Sequence, residues 1–375
     1  MSLLLGRREE RILEGEEGEV LQKCYRLLVK LGEAYGADRL IPIKSAHLSG
    51  ISYHSIGDAG LQFLEKISRQ ARFRVKTTVN PCGMDLRRWR ELGIDEGFAR
   101  KQLRILKALR KMGATMTLTC TPYYLSPPRL GDHLSWAESS AVCYANSVLG
   151  ARTNREGAFS ALASAIAGVT PNFGVHREEE RRPKVLVRVK AELKSVSDYS
   201  ALGFRVGMEV GDGIPFFVGI KGGEDEMKAL AASLATTGAV PMFHAEGLTP
   251  EWKKQQVAGL EKIEIESNDI RKVYEEFEGD ECEAAFIGCP HLSRQELQEL
   301  CHRRPKLKIF VCAARNLAPK QFRLLSKSGF VVLHDMCMVV SPLSKSYKKL
   351  AVDSFKAAYY LGEKAAVVGR EELVE

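Results

Sequence analysis

The stretch Ala284–Leu333, AAFIGCPHLSRQELQELCHRRPKLKIFVCAARNLAPKQFRLLSKSGFVVL, decides the fold. Three short apolar runs, Ala284–Ile287, Lys308–Val311 and Val331–Leu333, predict strands. They are rich in Val, Ile and Phe and too brief to be helices. The segments between them, Arg294–His302 and Lys320–Ser326, predict helices. Strand and helix taking turns in this way is the pattern of a parallel sheet with helices packed on its faces.

The same alternation extends upstream. Val20–Tyr35, Gly57–Arg69, Phe98–Met112 and Asp225–Ala235 predict helices. Leu40–Ile43, Phe73–Val79, Thr115–Thr119, Lys184–Val189 and Phe216–Ile220 predict strands. The expected fold class is α/β: several three-layer α/β/α units with largely parallel sheets. A length of 375 residues suits two or three such units. Residues 1–180 are expected to form a first α/β region and 181–280 a second. Residues 281–375 are expected to rejoin the first. The charge-dense run GVHREEERRPKV, Gly174–Val185, marks one boundary. The region Glu246–Asn268, where TPEWKKQQ is expected to open a polar helix, is a second candidate.

Composition removes several classes of function. Hydrophobic residues make up 45% and charged residues 27%, an ordinary balance for a soluble protein. No apolar run nears the ~20 residues a membrane span needs. The leucines at the N-terminus give way at once to GRREERILEGEEGE, so no secretion signal is expected, and the chain is expected to be cytoplasmic. The net charge of +8 is modest for this length. Its densest basic run, Arg87–Lys111, reads as an amphipathic helix with a solvated face. No aromatic interleaving accompanies it, so no nucleic-acid partner is expected.

Nine cysteines are scattered without any CxxC pair, which argues against a disulfide framework and against a zinc ribbon. Their contexts are more telling. Cys120 ends TMTLTC, Cys289 ends EAAFIGC, and Cys337 follows VVLHDM. Cys82 and Cys312 also sit at the ends of strand-like runs. Open α/β sheets bind ligands beyond the carboxyl ends of their strands. On this reading all five thiols remain candidates for one site, each set against the simpler role of a small buried hydrophobe.

A second stretch, ESSAVCYANSVLGARTNR (Glu138–Arg155), predicts a helix over Ser139–Leu149 with Gly150 as a left-handed cap. The helix is too apolar to be exposed and carries Ser139, Ser140 and a lone Asn146. Beyond it come Arg152, Thr153, Asn154 and Arg155. Two fork-shaped cations at the end of a buried helix suit a carboxylate or phosphate; the alternative is a core helix with a solvated end. In SAHLSGISYHS, a Gly/Ser-rich turn bearing His47, Ser49 and Gly50 could offer donors to an anion. Asn80 and Asp85 flank Pro81-Cys82-Gly83 and could orient substrate or water, or simply shape a turn. His176 and His291 lie beside the same segments.

Together with IPIKSAHLSGISYHSIGDAGLQFLE (Ile41–Glu65), TTVNPCGMDL (Thr77–Leu86), TCTPYYL (Thr119–Leu125), PNFGVH, IGCPHLS and HDMCMVVSPL, this stretch resembles the aconitase X family over nearly the whole chain. The resemblance implies an aconitase-like fold and a hydro-lyase activity. It implies an iron–sulfur cluster held by Cys120, Cys289 and Cys337, with four irons or, since the CxxC pair of ordinary aconitases is missing, two. It further implies a large catalytic subunit whose base comes from a separate small, swivelling-domain subunit. Two-subunit archaeal members act on the phosphorylated hydroxy acid 5-phosphomevalonate, and fused bacterial members on cis-3-hydroxy-L-proline. A binding or structural subunit without a cluster is the alternative of another class.

Overall fold

The computed structural model describes residues 3–279 and 281–375. Met1, Ser2 and Asp280, where the chain start and one expected boundary fall, lie outside the described residues. The stretch that decides the fold supplies three strands, from one edge to the centre, of a five-stranded, wholly parallel sheet. Its order is Val331–Leu333, Ile309–Cys312, Ala284–Ile287, Leu350–Val352 and Ala365–Val367. Ala284, Ala285, Phe286 and Ile287 are all buried, as a central strand covered on both faces requires. The Arg294–Leu300 helix begins where expected because Ser293 and Glu296 cap each other: Glu296 N donates to Ser293 Oγ at 3.1 Å and Ser293 N to Glu296 Oε2 at 2.8 Å.

A second parallel sheet orders His244–Ala245, Pro215–Val218, Val185–Val189 and Glu261–Ile265. The polar helix expected in Glu246–Asn268 is absent. Trp252–Lys254 forms one 3-10 turn, and the charged run Glu261–Ile265 is instead an edge strand beside Val185–Val189. Only Ile265 of this strand is buried, so it reads as polar. The charged run Gly174–Val185 also hides a core residue. Arg181 is 1% exposed, and its Nε donates to Glu251 Oε2 at 2.9 Å.

The third sheet, also parallel, orders Lys76–Val79, Ser45–Leu48 and Leu134–Trp136. His47 therefore stands in a strand, not in the turn expected for it; the turn starts at Ser49. The expected strand Thr115–Thr119 reduces to a single bridge between Thr78 and Thr115. Leu118 takes φ 46° and breaks the extended chain. The Thr117 hydroxyl replaces the ladder, accepting from Val79 N at 3.1 Å and donating to Val79 O at 2.9 Å. A short antiparallel pair, Leu40–Pro42 with Val169–Pro171, completes the sheets.

What matters for the site is how the first and last sheets meet. Cys82 and Met336 form a parallel bridge beyond the carboxyl ends of their strands, with Cys82 N donating to Asp335 O at 2.8 Å and Cys337 N to Cys82 O at 3.2 Å. The two sheets thus face one another across their strand ends, where an α/β ligand site belongs. Among the described residues, no helix is long and apolar enough to cross a membrane.

Candidate active site

Three cysteine-bearing loops converge at this junction. Cys120, Cys289 and Cys337 all line one cavity of about 360 Å³. His291, two residues past Cys289, ties the loops together. Its backbone N–H donates to the Cys120 sulfur at 3.2 Å, its Nδ1 meets Thr119 Oγ1 at 3.0 Å, and its Nε2 meets Met336 O at 2.9 Å. One side chain thus positions the segments that carry all three thiols. The same burial that fixes it keeps the imidazole neutral, its pKa lowered to about 4. Cys82 and Cys312, the other strand-end thiols, are buried and absent from the cavity wall.

Opposite the thiols stands a polar web. Lys356, on the Phe355–Leu361 helix, donates to Glu138 Oε1 at 2.6 Å and to Ser140 Oγ at 3.1 Å. The Ser140 hydroxyl donates to Glu138 Oε1 at 2.9 Å, and Asn80 Nδ2 donates to Glu138 Oε2 at 2.6 Å. Burial works against the Glu138 charge, but the Lys356 ammonium and these donors outweigh it and hold the carboxyl at about 2. For Lys356 burial likewise opposes charge, and Glu138 more than restores it. Behind Asn80, its Oδ1 can only accept, so His47 carries its proton on Nε2 at 2.8 Å. The His47 Nδ1 then accepts from Thr78 Oγ1 at 2.7 Å. Burial lowers the His47 pKa to about 4, so this link is a neutral spacer that fixes the Asn80 amide.

The residues singled out in the sequence divide in two. Gly50, Asn80, Ser139 and Arg155 line the cavity with the three thiols, while Ser140 and His47 stand one hydrogen bond behind. Among the described residues, no hydrogen bond or ion pair engages the Arg155 guanidinium, which is exposed at the rim. Ser49 is spent on Ala137 O at 2.9 Å.

The others do not line this cavity, and protein partners engage their polar groups. Asp85 is buried, taking Arg315 Nη2 at 3.0 Å and His334 N at 2.9 Å. Asn146 donates to Thr153 O at 2.8 Å and Pro241 O at 2.9 Å, while Thr153 Oγ1 accepts from Trp136 N at 3.0 Å. Asn154 holds Phe173 O at 3.0 Å. Arg152 points away from the cavity, pairing with Glu178 and donating to His176 O at 2.9 Å. The helix ends at Ser147, earlier than expected, and Gly150 takes its left-handed turn (φ 65°) in the loop beyond. A Cβ there would strike Leu130 Cδ1 at 2.2 Å.

Glu138, Ser52, Tyr360 and Lys356 also line the cavity and were not singled out in the sequence. The available signal for Lys356 was a lone cation in the otherwise apolar helix FKAAYYL. Burial pushes the thiols up, Cys120 to about 12, so a bound cationic centre is what would favour their thiolate forms. Among the described residues, no three His, Cys, Asp or Glu side chains are placed to hold a single metal ion. The three thiols share one cavity wall, and an all-sulfur donor set is the kind that holds iron–sulfur clusters.

Comparison with known proteins fits this arrangement. The family models for the first, second and third domains of aconitase X match residues 2–179, 183–275 and 282–374. The chain is 44% identical to a phosphomevalonate dehydratase large subunit of Methanocaldococcus jannaschii, over 96% of this chain and 95% of the relative. It is 33% identical to a cis-3-hydroxy-L-proline dehydratase of Pseudomonas aeruginosa, over 97% of this chain but 67% of that longer protein. The holo-form crystal structure of Thermococcus kodakaraensis aconitase X superposes with a TM-score of 0.93 at 41% identity, covering 99% of both chains. Matched from end to end by the three domain models, and carrying its thiols on the loops where their sheets meet, the chain belongs to the aconitase X family.

Proposed function

We propose that this chain is the large subunit of a phosphomevalonate dehydratase, a cytoplasmic hydro-lyase of isoprenoid synthesis. It would remove water from (R)-5-phosphomevalonate to give trans-anhydromevalonate 5-phosphate. The observation that carries the reading is near-complete mutual coverage with a relative of that name at 44% identity. The hydroxyproline dehydratase relative is more distant and extends well beyond the match. Lys356 is paired with Glu138, but the Arg155 guanidinium at the cavity rim suits a substrate bearing a carboxylate or phosphate.

Cys120, Cys289 and Cys337 would hold the iron–sulfur cluster, with four irons proposed and two as the alternative. When bound, such a cluster supplies a Lewis acid for the departing hydroxyl. The remaining tasks fall to this chain's own groups. The Arg155 guanidinium takes a carboxylate or phosphate in its fork. The Lys356 ammonium, held by Glu138 and Ser140, keeps a positive charge against the thiol wall. Asn80 is fixed by His47 and Glu138 and orients what sits in the cavity.

The proton lost from the neighbouring carbon needs a base. Both Glu138 oxygens are already engaged by donors, so it is poorly placed for that role. A small-subunit side chain is the proposed acceptor. Anaerobic enzyme with its cognate small subunit, given 5-phosphomevalonate, is expected to yield a product lighter by one water in mass spectrometry. Turnover of cis-3-hydroxy-L-proline with phosphomevalonate untouched would overturn the assignment.

A further inference from the structure

We propose that the small subunit seats an apolar segment in a trough beside the cavity mouth, between the Tyr53–Ile67 and Ala158–Ala167 helices. This rests on the two-subunit reading above and goes beyond it by naming the surface. The trough has a volume of about 450 Å³, and among the described residues no charged one lines it; Ile56, Leu64, Leu109 and Leu162 form its walls. It is continuous with the thiol cavity, because Gly50, Ile51 and Ser55 line both.

At its outer end Phe63 and Phe159 meet edge to face, ring centres 5.4 Å apart, yet remain 40% and 64% exposed. Beyond them a second recess of about 230 Å³ runs on against Val20, Leu27 and Ile67. At the cavity itself stands another exposed aromatic pair. Tyr360 lines the cavity and meets Tyr359 at 5.5 Å, the two being 51% and 52% exposed.

A chain that buries its core this fully rarely leaves two aromatic pairs in water beside one opening unless something covers them. Exposed aromatics beside an apolar recess are the anchors protein interfaces use. The occupant is argued from the relatives. One is named a large subunit, and in the longer hydroxyproline dehydratase the match spans 67% of the protein, leaving about a third as further chain. A body that must bring a base to the cavity has to rest on its rim, and the trough is the apolar part of that rim. Covering it also shuts water from the thiols.

The test is the affinity of the purified large subunit for its cognate small subunit, measured by calorimetry. Phe159→Glu places a charge in the trough and touches no group assigned to substrate or thiols. It is expected to weaken the complex about a hundredfold, and Phe159→Ala about tenfold. Leu324→Glu, at a site 49% exposed on the Pro319–Lys327 helix, is the control and should bind as wild type. Melting of each variant alone should match wild type within a few degrees.

Unchanged affinity in the folded Phe159 variants overturns the proposal. So does light scattering showing that the large subunit pairs with a second copy through Phe159. A wild-type complex that Phe159→Glu disrupts, but that leaves phosphomevalonate intact, supports the surface and defeats the substrate reading. Normal turnover with undiminished Phe159→Glu binding does the reverse.

Discussion

The two ends of the segment Glu138–Arg155 have different fates. At its start, Glu138 and Ser139 line the thiol cavity, and Lys356 is held there by Glu138 and by Ser140 just behind the wall. At its end, Asn146, Arg152, Thr153 and Asn154 turn inward, and their hydrogen bonds tie the helix to Pro241, Trp136, Phe173, Glu178 and the backbone of His176. Arg155 alone returns to the cavity rim. The stretch looks uniformly functional in sequence because a buried structural tie and a buried ligand site use the same residue types. What separates them is whether each donor already has a protein partner.

That contrast makes predictions of decreasing size. Cys120→Ser is expected to cut dehydration by about a thousandfold, on the order of 4 kcal/mol in the barrier. Cys143→Ala, in the core of the same Ser139–Ser147 helix, should keep turnover and lose on the order of 1 kcal/mol of stability. Equal activity losses in the two variants would erase the distinction between site and core.

Lys356→Met strips the buried Glu138 of its counter-charge and should destabilise the chain by about 3–5 kcal/mol, as read by denaturant unfolding. Lys356→Met together with Glu138→Gln should recover much of that loss but not activity. A double variant with normal turnover would show the pair to be scaffolding.

Acidification probes both ends of the segment at once. Burial lowers the pKa of His47, in the cavity web, to about 4, and that of His176, under Arg152, to about 3. Between those values and the unfolded value near 6.5, the unfolded chain binds more protons than the folded one. Stability is therefore full above about pH 6.5 and falls as pH drops toward 4, by up to about 3 kcal/mol for His47. Melting temperatures of the large subunit across pH 7.5 to 4.5 check this, and a flat curve would contradict the buried neutral assignments.

The arginines give the finest division. Arg155→Lys keeps the charge but loses the fork, so it should lower turnover efficiency by a factor on the order of ten to a hundred with melting unchanged. Arg152→Lys should do the opposite, costing roughly 1 kcal/mol of stability with KM unaltered. Exchanged outcomes would mean that the two residues have been assigned to the wrong ends.

The layered architecture was legible because Ala284–Ile287, Ile309–Cys312 and Val331–Leu333 are short apolar runs with clear breaks between them. Thr115–Thr119 misled because a threonine hydroxyl made bonds that propensity assigns to the backbone. Glu261–Ile265 was not legible as a strand because an edge strand carries its charges to solvent. Strand-end context narrowed the nine thiols to five, and the family resemblance chose Cys120, Cys289 and Cys337, which line one cavity. Lys356 escaped notice because its partner Glu138 lies 218 residues away in the chain, a separation no local pattern bridges.

The central claim is that three thiols from separate loops hold iron in this cavity. Diffraction from anaerobically grown crystals at the iron absorption edge tests it in one data set. The expected result is a strong anomalous peak bounded by the sulfurs of Cys120, Cys289 and Cys337, facing Lys356. Iron-containing protein whose peak lies elsewhere, or is bound by Cys82 or Cys312 in place of one of the three, would contradict it.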